Sequence, residues 1–139
     1  MEPKGSLGNQ MFRYAALLGI ANENAMIPQI VGKNFTSLSR VFPHLTYPFA
    51  SSASAPRNSE RLNLTPCCKY DKRFYNLQNC TKNYTLSGFF ISWRYFRSEF
   101  TRLRRRDFRF PDEVKQSAVS FRVDALTKHF KGGSGKEVT

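Results

Sequence analysis

The beginning of the chain places two glycines directly before a run of helix-forming residues. Gly5 and Gly8 are spaced three residues apart, Asn9-Gln10 follows, and the run extends from Met11 to Leu18. Glycine lets the backbone adopt positive φ and approach a ligand closely. The first N–H groups of a helix lack intrahelical partners and carry the positive end of the helix dipole. The pattern therefore predicts a tight loop that opens a helix and can hold an anion.

The helix that follows is predicted over residues 9–24. Asn9 is a favoured N-cap residue, and apolar residues recur at helical spacing after it. Gly19 and Asn24 are expected to loosen the far end. An ordinary glycine turn that caps a core helix has the same spacing, so the anion site is one of two interpretations.

The next residues indicate an α/β chain with a parallel sheet. Met26–Val31 is predicted as a short strand, with Pro28 marking an edge or a strand start. A loop, a helix and a strand in succession are typical of α/β folds. Ser37–Phe42 is predicted as a short helix that Ser37 caps and Pro43 ends.

The middle of the chain is predicted to be a surface excursion over about residues 48–85. Residues 48–60 are rich in serine, alanine and proline, and residues 62–85 carry the cysteines and three glycosylation sequons. Leu86–Phe90 is predicted as a strand in which Gly88 marks a bulge or a close backbone approach.

The aromatic residues after this strand are predicted to share one helical face. Ser92–Leu103 is expected to be helical, and Trp93, Phe96 and Phe100 follow i, i+3, i+7 spacing. Core packing is the favoured interpretation of that face, and a wall of a sugar-binding cleft is the alternative.

A last helix is predicted to begin at Pro111-Asp112-Glu113, where proline and acidic residues suit a first turn. The glycine-rich stretch from Lys131 to Lys136 is expected to end it in a flexible turn. That stretch does not match a P-loop, because Glu137 follows Lys136 where serine or threonine is required.

Four N-x-S/T sequons point to a lumenal chain. They begin at Asn34, Asn63, Asn79 and Asn83, whereas chance supplies roughly one or two. We predict these asparagines as N-glycosylation sites.

The three cysteines are Cys67, Cys68 and Cys80. They lack the spacing of a zinc site, so no metal is expected. In an oxidising compartment Cys80 is expected to pair with Cys67 or Cys68.

The chain carries a formal net charge of +12, and arginines are dense between Arg94 and Arg109. Such a charge suits an anionic partner, whether nucleic acid, anionic lipid or a nucleotide sugar. Because no recognised nucleic-acid module accompanies it, a solvated basic surface is favoured and no nucleic-acid partner is predicted.

Three stretches resemble the galactoside α-1,2-fucosyltransferases. The opening GSLGNQMFRYAALLGIA resembles the family's G-G/R-L/F-G-N-Q-M-F-Q-Y-A-x-L, departing from it at Ser6 and Arg13. Leu86–Phe96 is similar to the family's L-x-G-Y-F-Q-S-W-K-Y-F block, and Arg104–Phe110 resembles the I-R-x-x-F-x-F that follows it.

The resemblance implies an incomplete GT-B-like, Rossmann-type fold. Residues 1–130 would form the N-terminal portion of the domain, and residues 131–139 a flexible tail or truncation point. It implies transfer of L-fucose from GDP-fucose to the 2-hydroxyl of a terminal galactose on a glycan, without a metal or other cofactor. The implied donor-binding residues are Gly5, Gly8, Asn9 and Gln10, and the implied acceptor-side wall is Trp93, Tyr95 and Phe96. No catalytic residue is identifiable in this chain.

One departure limits that expectation. The family's H-V-R-R-G-D-Y donor motif does not occur, and Arg104–Asp107 cannot replace it because it lacks the turn glycine and a preceding strand. We therefore expect a truncated enzyme that transfers no fucose alone. The resemblance implies a type II Golgi membrane protein whose N-terminal anchor is outside this sequence. A non-catalytic secreted glycoprotein or carbohydrate-binding remnant is the alternative.

Overall fold

The computed structural model describes residues 6–30, 36–47, 58–77 and 81–132. Helices dominate it, and its two strands form a parallel sheet. The helices are α1 (Leu7–Glu23), α2 (Thr36–Val41), the single turn α3 (Phe100–Arg102) and α4 (Asp112–Gly132). The strands are β1 (Ser59–Asn63) and β2 (Asn83–Ser87), and the short turns are the 3₁₀ segments Lys72–Tyr75 and Trp93–Phe96 and the π-helical turn Leu103–Asp107.

Helix α1 lies at the centre of the first of two compact units, Met1–Arg109. Every residue from Arg13 to Ala21 is buried, so this stretch is covered on all sides rather than along one stripe. Small residues make this possible, because Ala15, Ala16 and Gly19 let neighbouring segments approach the helix closely. The predicted helix is confirmed.

The far end of α1 is held firmly, so the prediction that Gly19 and Asn24 loosen it is wrong. A Cβ at Gly19 would overlap Tyr95 O, which shows that backbone packs directly on the helix there. Asn24 Nδ2 donates to Ile20 O and to Phe74 O at 2.8 Å each, and Asn24 Oδ1 accepts from Leu77 N at 2.8 Å. The side-chain amide of Asn24 therefore joins the end of α1 to the 3₁₀ segment Lys72–Tyr75 and the residues that follow it.

Strands β1 and β2 pair in parallel, with Ser59 opposite Asn83 and Asn63 opposite Ser87. Gly88 follows β2 with φ +130°, and a Cβ there would lie 2.9 Å from Leu64 Cβ. The predicted close approach at Gly88 is confirmed. The predicted strand is shifted, because pairing ends at Ser87 instead of continuing to Phe90.

Three other sequence predictions need correction. Met26–Ile30 is irregular rather than a strand, while Val31 lies outside the described residues. Helix α2 begins at Thr36, so Ser37 is inside it instead of capping it, although the helix does stop just before Pro43. Residues 48–57 are outside the described part, and Ser59-Glu60 belongs to β1 rather than to a loop.

Residues 62–85 are not merely a surface excursion. Leu64 and Phe74 are each 4% exposed and belong to the main core. Phe74 packs edge to face on Phe90 with ring centroids 5.1 Å apart, and Phe90 packs on Tyr95 at 5.4 Å. Interlocking aromatic rings therefore fold this segment back onto α1.

The predicted helix over Ser92–Leu103 is broken into short turns. The 3₁₀ turn Trp93–Phe96 precedes the single turn α3, which continues into the π-helical turn. Because 3₁₀ geometry has a different period, Trp93, Phe96 and Phe100 do not share one buried face. Phe96 is 9% exposed, whereas Trp93 and Phe100 are 57% and 54% exposed.

The second compact unit, Phe110–Thr139, contains helix α4. The predicted helix after Pro111 is confirmed, and Lys115 Nζ lies 2.9 Å from Asp112 Oδ1 within its first turn. The apolar side chains of Val114 and Phe121 on this helix are 48% and 76% exposed. The glycine-rich tail after Gly132 is outside the described residues.

Cys67 and Cys68 are joined in a disulfide between neighbouring residues. The left-handed φ of 69° at Cys68 turns the chain at this point. The predicted pairing of Cys80 with one of them is therefore not the bond that the structure contains, and Cys80 lies outside the described residues.

Candidate functional site

Helix α1 begins at Leu7, two residues earlier than predicted. Ser6 precedes it in an extended conformation (φ −64°, ψ 170°), and Gln10 N donates to Ser6 O at 3.0 Å. The N–H groups of Leu7, Gly8 and Asn9 therefore precede the first intrahelical hydrogen bond. No acidic residue lies in the first turn, so its positive potential is not offset locally.

Because Gly8 has no side chain, the backbone of the first turn of α1 is exposed at this residue. The residue is exposed, and a Cβ added there would meet no described atom within 4 Å. Gly8 does not use the positive φ that glycine permits, because it lies inside the helix, and Gly88 is the described glycine with a positive φ. The absence of a side chain, rather than unusual backbone geometry, is what makes this surface accessible.

The other predicted donor-binding residues differ in position. Asn9 is half-buried in the first turn, whereas Gln10 is 7% exposed and faces the interior. Arg13, at a position where the family has glutamine, is 1% exposed and forms part of the core. Gly5 lies outside the described residues. Gly8 and Asn9 are thus the predicted residues placed at the accessible helix start.

The predicted acceptor-side wall is divided between surface and core. The Trp93 ring is exposed, with the Arg97 guanidinium carbon 6.0 Å from its centroid. Tyr95 is fully buried, and its hydroxyl accepts from Asp71 N at 2.7 Å and donates to Lys69 O at 3.3 Å. Burial raises the pKa of Tyr95 above its ordinary value. Tyr95 and Phe96 therefore stabilise the core, and Trp93 is the one of the three that offers a ring face to a ligand.

A buried carboxylate at Asp107 was not found by sequence reasoning. Asp107 is 0% exposed, and its Oδ1 accepts from Tyr14 Oη at 2.9 Å and from Thr46 N at 2.5 Å. Arg102 Nε lies 3.8 Å from Oδ2. Burial, reinforced by the Asp107 charge, raises the pKa of Tyr14. No sequence signal marked Asp107, because the arginines before it suggested a solvated turn.

Two surface cavities contain cationic side chains. A cleft of about 1050 Å³ lies between the sheet and the 3₁₀ segment, where Arg61, Lys72, Arg73 and Lys82 line it together with Glu60. A smaller cavity of about 310 Å³ is lined by His44, Leu45, Arg106 and Arg109. Among the described residues, Gly8, Asn9 and Gln10 line neither cavity.

Two of the four predicted glycosylation sites lie among the described residues. Asn63 and Asn83 are exposed, at the end of β1 and the beginning of β2. Asn34 and Asn79 lie outside the described residues.

Within the described part of the chain, no three His, Cys, Asp or Glu side chains are grouped so that they could hold a metal ion. Among the same residues, no helix has the length and apolarity needed to span a bilayer.

Comparison with known proteins identifies no relative: no family model, no curated protein and no solved structure matches the chain.

Proposed function

We propose that this chain supplies part of the donor-binding half of a galactoside α-1,2-fucosyltransferase. The reaction moves L-fucose from GDP-fucose to the 2-hydroxyl of a terminal galactose and leaves GDP. The proposed fold is the N-terminal portion of a GT-B-like, Rossmann-type domain. The proposal rests on the resemblance of the sequence blocks and on the surface that the structure gives the first of them.

The chemistry requires stabilisation of negative charge on the departing diphosphate. Preorganised N–H donors provide such stabilisation without reorganising during the reaction. The observation that carries the proposal is the first turn of α1. Three N–H groups precede its first helical hydrogen bond, and no described atom lies within 4 Å of the position that a Cβ at Gly8 would take. A diphosphate at this position would interact with the helix dipole as well as with the N–H groups.

The experiment is a calorimetric titration of the full chain with GDP, using guanosine as the ligand that lacks the diphosphate. Asn9→Ala should weaken GDP binding by about tenfold, because it removes an amide at the helix start. The matched control is Asn22→Ala, on the exposed far end of the same helix, which should leave GDP affinity unchanged. Equal GDP affinity in Asn9→Ala and the wild type, or equal binding of guanosine and GDP, would refute the proposal.

The proposed compartment is the Golgi lumen, and the exposure of the sequon asparagines Asn63 and Asn83 supports it. The chain expressed in a secretory pathway should lose apparent mass after enzymatic removal of N-glycans. A chain that enters that pathway and shows no such loss contradicts the predicted glycosylation.

A second candidate is binding of a galactoside without transfer, and the exposure of Trp93 favours it. Aromatic faces stack on sugar rings, and Trp93 is the single tryptophan of the chain, so its fluorescence reports directly on this surface. Titration with lactose should shift the emission if Trp93 contacts the sugar. Binding of lactose without binding of GDP would favour this candidate over the transferase.

A further inference from the structure

The smaller cavity is formed by two segments that are distant in sequence. His44 and Leu45 come from the turn after α2, Arg106 lies in the π-helical turn, and Arg109 follows that turn by two residues. Phe108 N donates to Leu103 O at 2.8 Å, and Arg109 N donates to Arg106 O at 3.2 Å. These backbone bonds fix the two arginines three residues apart on one side of the turn.

Asp107 connects the two segments that form this cavity. It accepts a hydrogen bond from Thr46 N, and Thr46 immediately follows the His44-Leu45 wall. The carboxylate itself is fully buried and faces Tyr14 and Arg102. Among the described residues that line the cavity, two are arginines and one is a histidine, and none carries a carboxylate.

The larger cleft contains four cationic side chains, but carboxylates lie beside two of them. Arg73 is paired with Asp71 at 2.6 Å, and Lys82 lies 3.4 Å from Glu60. Both ion pairs reduce the positive potential that a ligand would meet there. Glu60 also lines that cleft directly.

We propose that the cavity between His44 and Arg109 binds a tetrahedral oxyanion, either phosphate or sulfate, free or as the ester of a sugar. Arginine donates paired N–H groups that match the oxygens of such anions. The π-helical turn suits this role, since π turns inside helices frequently occur at functional sites. This site is separate from the donor surface of α1 and does not depend on the proposed transferase activity.

The test is calorimetric titration of the full chain with sodium phosphate and sodium sulfate at constant ionic strength, so that general screening does not change. The decisive variant is Arg106→Gln with Arg109→Gln. The matched control is Arg104→Gln with Arg105→Gln, which removes the same charge from exposed positions of the same turn. The cavity variant should lose at least about tenfold in affinity, and the control should stay within about twofold.

Equal losses in both double variants would overturn the proposal, because they would show binding to general positive charge. Absence of anion binding by the wild type would also overturn it. All four arginines are exposed, and near-ultraviolet circular dichroism verifies that both variants remain folded. Glucose 6-phosphate and galactose 6-sulfate identify the source of the anion, since the tighter ligand reveals which ester the cavity accepts. Binding of the free anions with neither ester would identify an inorganic ion as the ligand.

Discussion

Asp107 is the residue on which several parts of the first unit converge. From the π-helical turn it reaches α1 through Tyr14, the turn after α2 through Thr46, and α3 through Arg102. A buried charge is tolerated when hydrogen bonds and an opposite charge compensate it, and loss of one partner is then costly.

Asp107→Ala should therefore destabilise the protein by about 3–5 kcal/mol, because it leaves the Tyr14 and Thr46 donors buried without their acceptor. The control Glu60→Gln removes an exposed partner of Lys82 and should cost at most about 1 kcal/mol. Urea denaturation of both variants measures these differences. Similar midpoints for the two variants would contradict the central place given to Asp107.

The raised pKa of Tyr14 makes the stability of the folded protein depend on pH in alkaline solution. Its pKa is raised in the folded state, so above about pH 10 the folded state holds a proton that the unfolded state releases. The contribution of Tyr14 to stability is complete below pH 10 and is lost as the pH rises through the folded-state pKa. The free energy of unfolding should therefore fall in alkaline solution, and Tyr14→Phe should make that fall shallower. An unchanged slope in Tyr14→Phe would disprove this origin.

Helix α1 contains two glycines whose surroundings are opposite. Gly8 faces open space, whereas Gly19 lies against the backbone of Tyr95 and Phe96. The same substitution at these two positions therefore separates the intrinsic helix preference from packing.

Gly8→Ala should stabilise the chain by up to about 1 kcal/mol, because alanine is the better helix former. Gly19→Ala should destabilise it by about 1–3 kcal/mol or more, because the new methyl group has no room. Thermal unfolding followed by circular dichroism shows whether each variant raises or lowers the unfolding midpoint. If both variants shift the midpoint in the same direction, the packing assigned to α1 is incorrect.

Local sequence signals predicted the long helices well and the short elements poorly. Helices α1 and α4 are long runs of residues that favour a helix, so their existence follows from the residues alone, although α1 begins at Leu7 instead of Asn9. The strand predicted over Met26–Val31 failed for its described residues because their β preference has no partner strand among the described elements. Strand β1, at Ser59–Asn63, depends on pairing with β2, which lies far along the chain.

Neighbouring residues in the sequence indicated where a helix starts, but not which of the candidate site residues are buried. Glycine spacing placed the start of a helix near Gly8 and Asn9, but both residues lie inside the first turn of α1, whose N-cap is Ser6. The burial of Gln10, Arg13, Tyr95 and Asp107 results from contacts between distant segments. No local pattern distinguishes those residues from exposed ones.

The chain as a whole separates into the unit Met1–Arg109 and the unit Phe110–Thr139. The described buried core belongs to the first unit, from Tyr14 to Leu103. In the second unit Val119, Phe121 and Val123 are all more than half exposed. The described residues therefore indicate that the first unit holds its own core.

A chain that ends at Arg109 should unfold with a free energy within about 1 kcal/mol of the full chain, because it keeps that core. Denaturant titration followed by Trp93 fluorescence compares the two chains, since both retain the single tryptophan. A non-cooperative transition or strong dye binding by the shorter chain would show that the second unit is needed for folding.

The central claim is that the open first turn of α1 receives a diphosphate, and amide chemical shifts test it most directly. Two-dimensional ¹H–¹⁵N spectra of the full chain, recorded during titration with GDP, follow each backbone N–H separately. We predict that the Leu7, Gly8 and Asn9 amides shift with a common affinity, while guanosine leaves them in place. GDP that leaves these three amides unshifted, whether or not it moves others, would contradict the claim.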